Sequence, residues 1–128
     1  MMSFFKTYPL SLSITIAIAG LSLLRPPSIG MSTAVGIDKV AHCLMYATLS
    51  GAVWWELLRR HRHNPAPLWH CLLIATVGPT AFGGLMELAQ AMLTGYRSAD
   101  WADFVANLIG ILAATYWGYR AWRRQSVR

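Results

Sequence analysis

Asp38, Lys39 and His42 open one apolar stretch of the chain, and Glu87 and Gln90 stand near the end of another. Arg97, Ser98, Asp100, Asp103 and Asn107 lead into a third. Asp38 and His42 are four residues apart, so on a helix they share a face. A carboxylate beside an imidazole orients the ring and favours its protonated form. Such a pair suits a general acid or base, or a clamp for an anionic group. Glu87 lies about six residues inside its segment's end, roughly 9 Å deep along a helix. An unpaired carboxylate in hydrocarbon is costly, so Glu87 is expected to be neutral or paired. His42 and Glu87 are therefore the candidates for acid–base chemistry. Asp38, His42, Glu87 and Asp103 also carry metal-ligand atoms. The chain has no HExxH, CxxC or EF-hand spacing, so neither a metal nor a cofactor is expected. It has no Gly-x-Ser-x-Gly motif for a serine nucleophile either.

Each of these residues also has a scaffolding reading. Asp38 fits a helix N-cap, and His42 fits a satisfied interfacial residue. Glu87 fits a lock between helices, paired to Arg97 or His42. Asp100 and Asp103 complement a helix dipole and resemble a capping box. Asn107 lies one turn beyond Asp103 on the same face, where an asparagine in hydrocarbon seeks a partner across a bundle. His61 and His63 fall in a basic loop and read as solvated surface.

The elements that position these residues follow from composition. Of 128 residues, 55% are hydrophobic and 12% charged, against about a quarter charged in soluble domains. A bilayer-spanning helix takes about 20 apolar residues, and four such segments use nearly the whole chain. Strands do not fit, because an open sheet edge cannot be satisfied in lipid. The expected fold is all-α: a polytopic membrane protein with four transmembrane helices in one antiparallel bundle. It forms a single domain over 1–128, with spans near 8–24, 40–58, 68–93 and 103–122. That arrangement brings the three polar groups to the same depth.

Punctuation supports these limits. Pro26, Pro27 and Gly30 mark a first loop, and Asn64, Pro65 and Pro67 a second. Tyr96, Arg97 and Ser98 form the third. Asp38 is expected to cap a helix running to about Leu58, and the last helix to run from about Ala99 to Trp122. Pro79, beside Gly78, Gly83 and Gly84, should kink or locally unwind the third helix. Ala17-Ile18-Ala19 resembles a signal cleavage site. The apolar run continues through Leu24, so the first segment is expected to be retained.

Eight of the eleven basic residues lie in three regions: Lys6, the Arg59–Arg62 cluster, and the tail from Arg120 to Arg128. Their bias puts both termini and the second loop in the cytoplasm. Trp54, Trp55, Trp69, Trp117 and Trp122 fall near the same boundary as expected interfacial anchors. This distribution argues against a nucleic-acid role despite the net charge of +6. The lipid bilayer is the expected partner. Cys43 and Cys71 belong to opposite ends and are expected to stay free.

Asp38-Lys39 with His42 and Tyr46, then Glu87-x-x-Gln90, then Arg97-Ser98 with Asp103, Asn107 and Gly110, resembles the VanZ-like family of small integral membrane proteins. The resemblance covers about residues 36 to 118. It implies a bacterial plasma-membrane protein with a role at the cell envelope, in a family named for glycopeptide (teicoplanin) resistance. It implies no established reaction. The family's recurring polar positions fall on Asp38, Lys39, His42, Glu87, Gln90, Arg97, Ser98, Asp103 and Asn107. The preferred reading is an outward-facing pocket for an anionic envelope lipid, a lipid-linked precursor or a glycopeptide. A membrane-embedded hydrolase or transferase using Glu87 or His42 is the alternative, and a proton or ion path the third. The third needs polar residues in the inner half, where Thr76, Thr80 and Thr115 are the main ones.

Overall fold

The computed structural model describes residues 6, 8–24, 35–93 and 101–127. Every element in it is helical: α1 (Pro9–Leu24), α2 (Val35–His61), α3 (Leu68–Leu72), α4 (Gly78–Leu93) and α5 (Trp101–Val127). A π-helical stretch, Leu73–Val77, joins α3 to α4, so these make one continuous third rod. No strand occurs among the described residues. The segment Leu68–Ala89 is long and apolar enough to cross a bilayer, while Pro9–Leu21 is apolar but shorter.

The second helix begins at Val35, a turn earlier than an Asp38 cap implies, and continues to His61. Asp38 therefore lies inside the helix. The last helix continues past Trp122 to Val127.

Helices α2 and α5 form the spine. Their hydrogen-bonded side chains are separated by 64, 65, 61 and 65 residues from one end to the other: Lys39 with Asp103, His42 with Asn107, Trp54 with Thr115, His61 with Ser126. A nearly constant separation means that the two helices run parallel and in register. The third rod runs against both. Ser50 meets Ala75 and Tyr46 meets Phe82, while Thr76 meets Thr115 and Gly84 meets Phe104. Alternating direction along the chain is thus consistent with the expected bundle, and its largest contact is between the two helices of like direction.

Glycine permits that contact. A Cβ on Gly110 would overlap the Cys43 carbonyl oxygen, and one on Gly118 would overlap the Trp54 ring. The α5 backbone therefore lies directly on α2, as small residues allow. Trp54 is fully buried there. This corrects its reading as an interfacial anchor: the ring fills the place left by Gly118. Trp55, Trp69 and Trp117 are exposed.

Pro79 explains the π-helical stretch. Without an N–H it cannot donate to the carbonyl one turn back, that of Ala75. The ladder loosens over Leu73–Val77, and the Ala75 carbonyl accepts from Ser50 Oγ at 2.7 Å. Ser50 and Ala75 are both fully buried, so this bond joins α2 to the third rod where a helical bond is missing.

Two further ties lie at the far end of the spine. Glu56 Oε1 accepts from both the backbone N–H and the hydroxyl of Ser11, at 2.7 and 2.8 Å. A carboxylate of α2 thereby serves the orphan amides and positive end of α1. His61 is buried, which corrects its reading as solvated surface. Its Nδ1 accepts from the Ala66 N–H at 2.9 Å, and its Nε2 lies 3.2 Å from Ser126 Oγ. His63 is exposed, and Cys43 and Cys71 are free thiols.

Gly110→Ala should cost at least the roughly 1–3 kcal/mol of overpacking, because the obstacle is backbone. Gly51→Ala, with no neighbouring atom within 4 Å, should be neutral in the same thermal-shift assay. Ser50→Ala strands the Ala75 carbonyl and should cost about 1–3 kcal/mol. Pro79→Ala restores a donor, so the Ser50→Ala penalty should shrink in that background. A double-mutant cycle without such coupling would refute the assignment.

Candidate functional site

The parallel spine sets the site. Lys39, His42 and Tyr46 recur at helical spacing on one face of α2, and Asp103, Asn107 and Gly110 do so on α5. Equal register at the N-terminal ends of both helices puts these faces together. The third rod, arriving antiparallel, adds Gly83 and then Glu87 one turn on.

The geometry is specific. Lys39 Nζ donates to Asp103 Oδ1 at 2.8 Å. The other oxygen, Oδ2, faces His42 Nε2 at 3.7 Å, too long for a hydrogen bond. His42 Nδ1 lies 3.1 Å from Asn107 Oδ1. One ligating atom from each of His42, Glu87 and Asp103 lies within 4.8 Å of the others. His42, Glu87, Asp103 and Asn107 are all buried, while the Lys39 side chain is 29% exposed. The cluster is therefore enclosed by three helices, and Lys39 forms its wetter edge. Asn107 Nδ2 is buried without a hydrogen-bond partner among the described residues, and it packs against Gly83.

No family model, curated protein or solved structure matches the chain. The site's geometry alone carries its reading.

Of the residues singled out by sequence, Lys39, His42, Glu87, Asp103 and Asn107 converge. Asp38 and Gln90 belong to α2 and α4, but their side chains lie outside the described residues. Arg97, Ser98 and Asp100 lie outside them altogether. The expected proximity of Glu87 and His42 is present. Gly83 joins the site as a space, letting the third rod reach the Tyr46 ring and Asn107. Its signal was the small-residue run after Pro79.

Sequence reading missed Glu56 entirely. It lies in the run Trp54-Trp55-Glu56-Leu57-Leu58, and a lone carboxylate there was the available signal. With Lys6, Trp55, Arg59, Arg60 and His63 it lines a cleft of about 620 Å³ at the basic end of the molecule. Thr76, Thr80 and Thr115 are engaged by neighbours. Thr76 and Thr115 hydroxyls lie 2.6 Å apart, and Thr80 bonds back to the Thr76 carbonyl.

Proposed function

We propose that this chain is a polytopic membrane protein of the VanZ-like type whose outward polar cluster binds the headgroup of an anionic envelope lipid or lipid-linked precursor. The observation that carries this reading is the convergence of Lys39, His42, Glu87, Asp103 and Asn107 from three helices at one end. Polar side chains are gathered inside, with Ser11, Ser50 and Glu56 also buried. Large apolar ones are turned outward on every rod: Ile16 is 72% exposed, Leu44 62%, Leu85 65% and Leu112 58%. Water would penalise that much exposed apolar surface, whereas lipid accepts it.

An anion is favoured for two reasons. The N-terminal ends of α2 and α5 lie side by side at the cluster, and each carries partial positive charge. Lys39, partly exposed, adds a full charge at the same edge. The VanZ-like resemblance implies the bacterial plasma membrane, and the placement of basic residues supports cytoplasmic termini. A membrane-embedded hydrolase or transferase remains the second reading, favoured by one imidazole and two carboxylates within 4.8 Å. The ion-path reading is weaker, since Thr76, Thr80 and Thr115 are spent on contacts within and between helices.

A reporter fused after Arg128 should read as cytoplasmic, and an outside signal there would overturn the orientation. Native mass spectrometry of the detergent-purified protein should find a phosphate-bearing lipid co-purifying. Glu87→Gln keeps shape and hydrogen bonding, so it should abolish that retention while shifting the melting temperature little. A variant that keeps its lipid yet melts clearly earlier would make Glu87 a structural lock.

A further inference from the structure

We propose that His42, Glu87 and Asp103 form a binding site for a first-row divalent cation of the Zn²⁺ or Mn²⁺ kind. One nitrogen and two carboxylate oxygens are a donor set that suits such ions. The three residues come from three different helices, and all are buried. Two carboxylates and an imidazole with ligating atoms within 4.8 Å of one another can converge on a single cation.

The surroundings orient the donors. An amide oxygen only accepts, so the contact with Asn107 Oδ1 holds the proton of His42 on Nδ1. Nε2 then carries its lone pair on the side where Asp103 stands. This is how a metal-ligating histidine is fixed by an outer partner. Asp103 is divided in the same way: Lys39 takes Oδ1, leaving Oδ2 towards Nε2. Their 3.7 Å gap is close to the roughly 3.4 Å that separates two ligands of a tetrahedral ion with bonds of about 2.0–2.1 Å. Glu87 supplies the third corner, with an oxygen within 4.8 Å of the other two donors. Three protein ligands leave a position for water or an oxygen of a bound molecule.

The cation site shares residues with the proposed headgroup site but needs no lipid. A bound ion would supply positive charge to an anionic headgroup, beyond what Lys39 and the helix ends provide.

The test uses full-length protein in detergent, stripped of lipid and treated with a chelator, then titrated with Co²⁺. We expect one equivalent to bind with the visible absorption of a four- or five-coordinate site, and Zn²⁺ to displace it. His42→Gln, Glu87→Gln and Asp103→Asn should each weaken binding by about 10-fold or more. Asn107→Leu, a positioning change, should weaken it about 10- to 100-fold while keeping the spectrum. His63→Gln and His70→Gln, at the basic end, should leave it unchanged. Circular dichroism identifies any variant that fails to fold; Glu87→Gln carries the test if Asp103→Asn, which removes the charge facing Lys39, is one. Absence of saturable Co²⁺ binding, or binding lost in the His63 and His70 variants but kept in Glu87→Gln, would overturn the site. Because lipid is removed first, loss of the metal site leaves lipid retention to be judged separately, and the reverse also holds.

Discussion

Two glycines, Gly110 and Gly118, let the α5 backbone lie against α2 with no side chain of α5 between them at those levels. The register of every other contact follows. Once Gly110 faces Cys43, helical spacing places Asn107 opposite His42 and Asp103 opposite Lys39. Towards the other end, the same register brings Trp122 and Ser126 to the His61 turn, where Trp122 Nε1 donates to the Ala66 carbonyl at 3.0 Å. A parallel pair has a further consequence: both helix dipoles point the same way. Their positive ends meet at the cluster, and their negative ends meet at the basic end with Arg59, Arg60, Arg123 and Arg124. Each end thus gathers side chains of the charge that its dipoles favour.

The third rod packs Cys71, Ile74, Ala75 and Phe82 against this spine, and hydrogen bonds fix its position along it. Pro79 breaks its ladder, and the freed Ala75 carbonyl is taken by Ser50 of α2. At the next residue the Thr76 hydroxyl meets Thr115 of α5. These bonds sit between buried helix faces, where an unsatisfied polar group is costly. They set how far the rod lies along the spine, and hence the height of Glu87 relative to His42. The π-helical stretch is thus part of how the site is placed, although it lies three turns from Glu87.

Much of this was legible in the sequence. Apolar runs separated by Pro, Gly and Asn gave the helices and their order, because those residues act locally. Alternating direction was enough to foresee that His42 and Glu87 lie at one depth. The parallel packing of α2 on α5 was not legible, since Gly110 and Gly118 announce a close approach without naming its partner. Trp54 was misread for the same reason: tryptophan favours interfaces, and only the space over Gly118 makes it a core residue. His61 was misread because its neighbours are charged, whereas its ring turns inward to the Ala66 amide. Sequence signatures register ligands spaced along one element, so they give no sign of the His42–Glu87–Asp103 group, whose three residues come from different helices.

Glu56 and Glu87 show why burial alone does not mark function. Both are glutamates on apolar helix faces, about equally enclosed at 5% and 6% exposure. Glu56 faces donors: the Ser11 amide and hydroxyl, at the positive end of α1. Oε1 is satisfied in this way while Oε2 is buried without a hydrogen-bond partner among the described residues, and the contact fixes α1 to α2. Glu87 instead shares its space with a second carboxylate and an imidazole. The two glutamates differ in what they face: Glu56 ties α1 to α2 through Ser11, whereas Glu87 meets an imidazole of α2 and a carboxylate of α5.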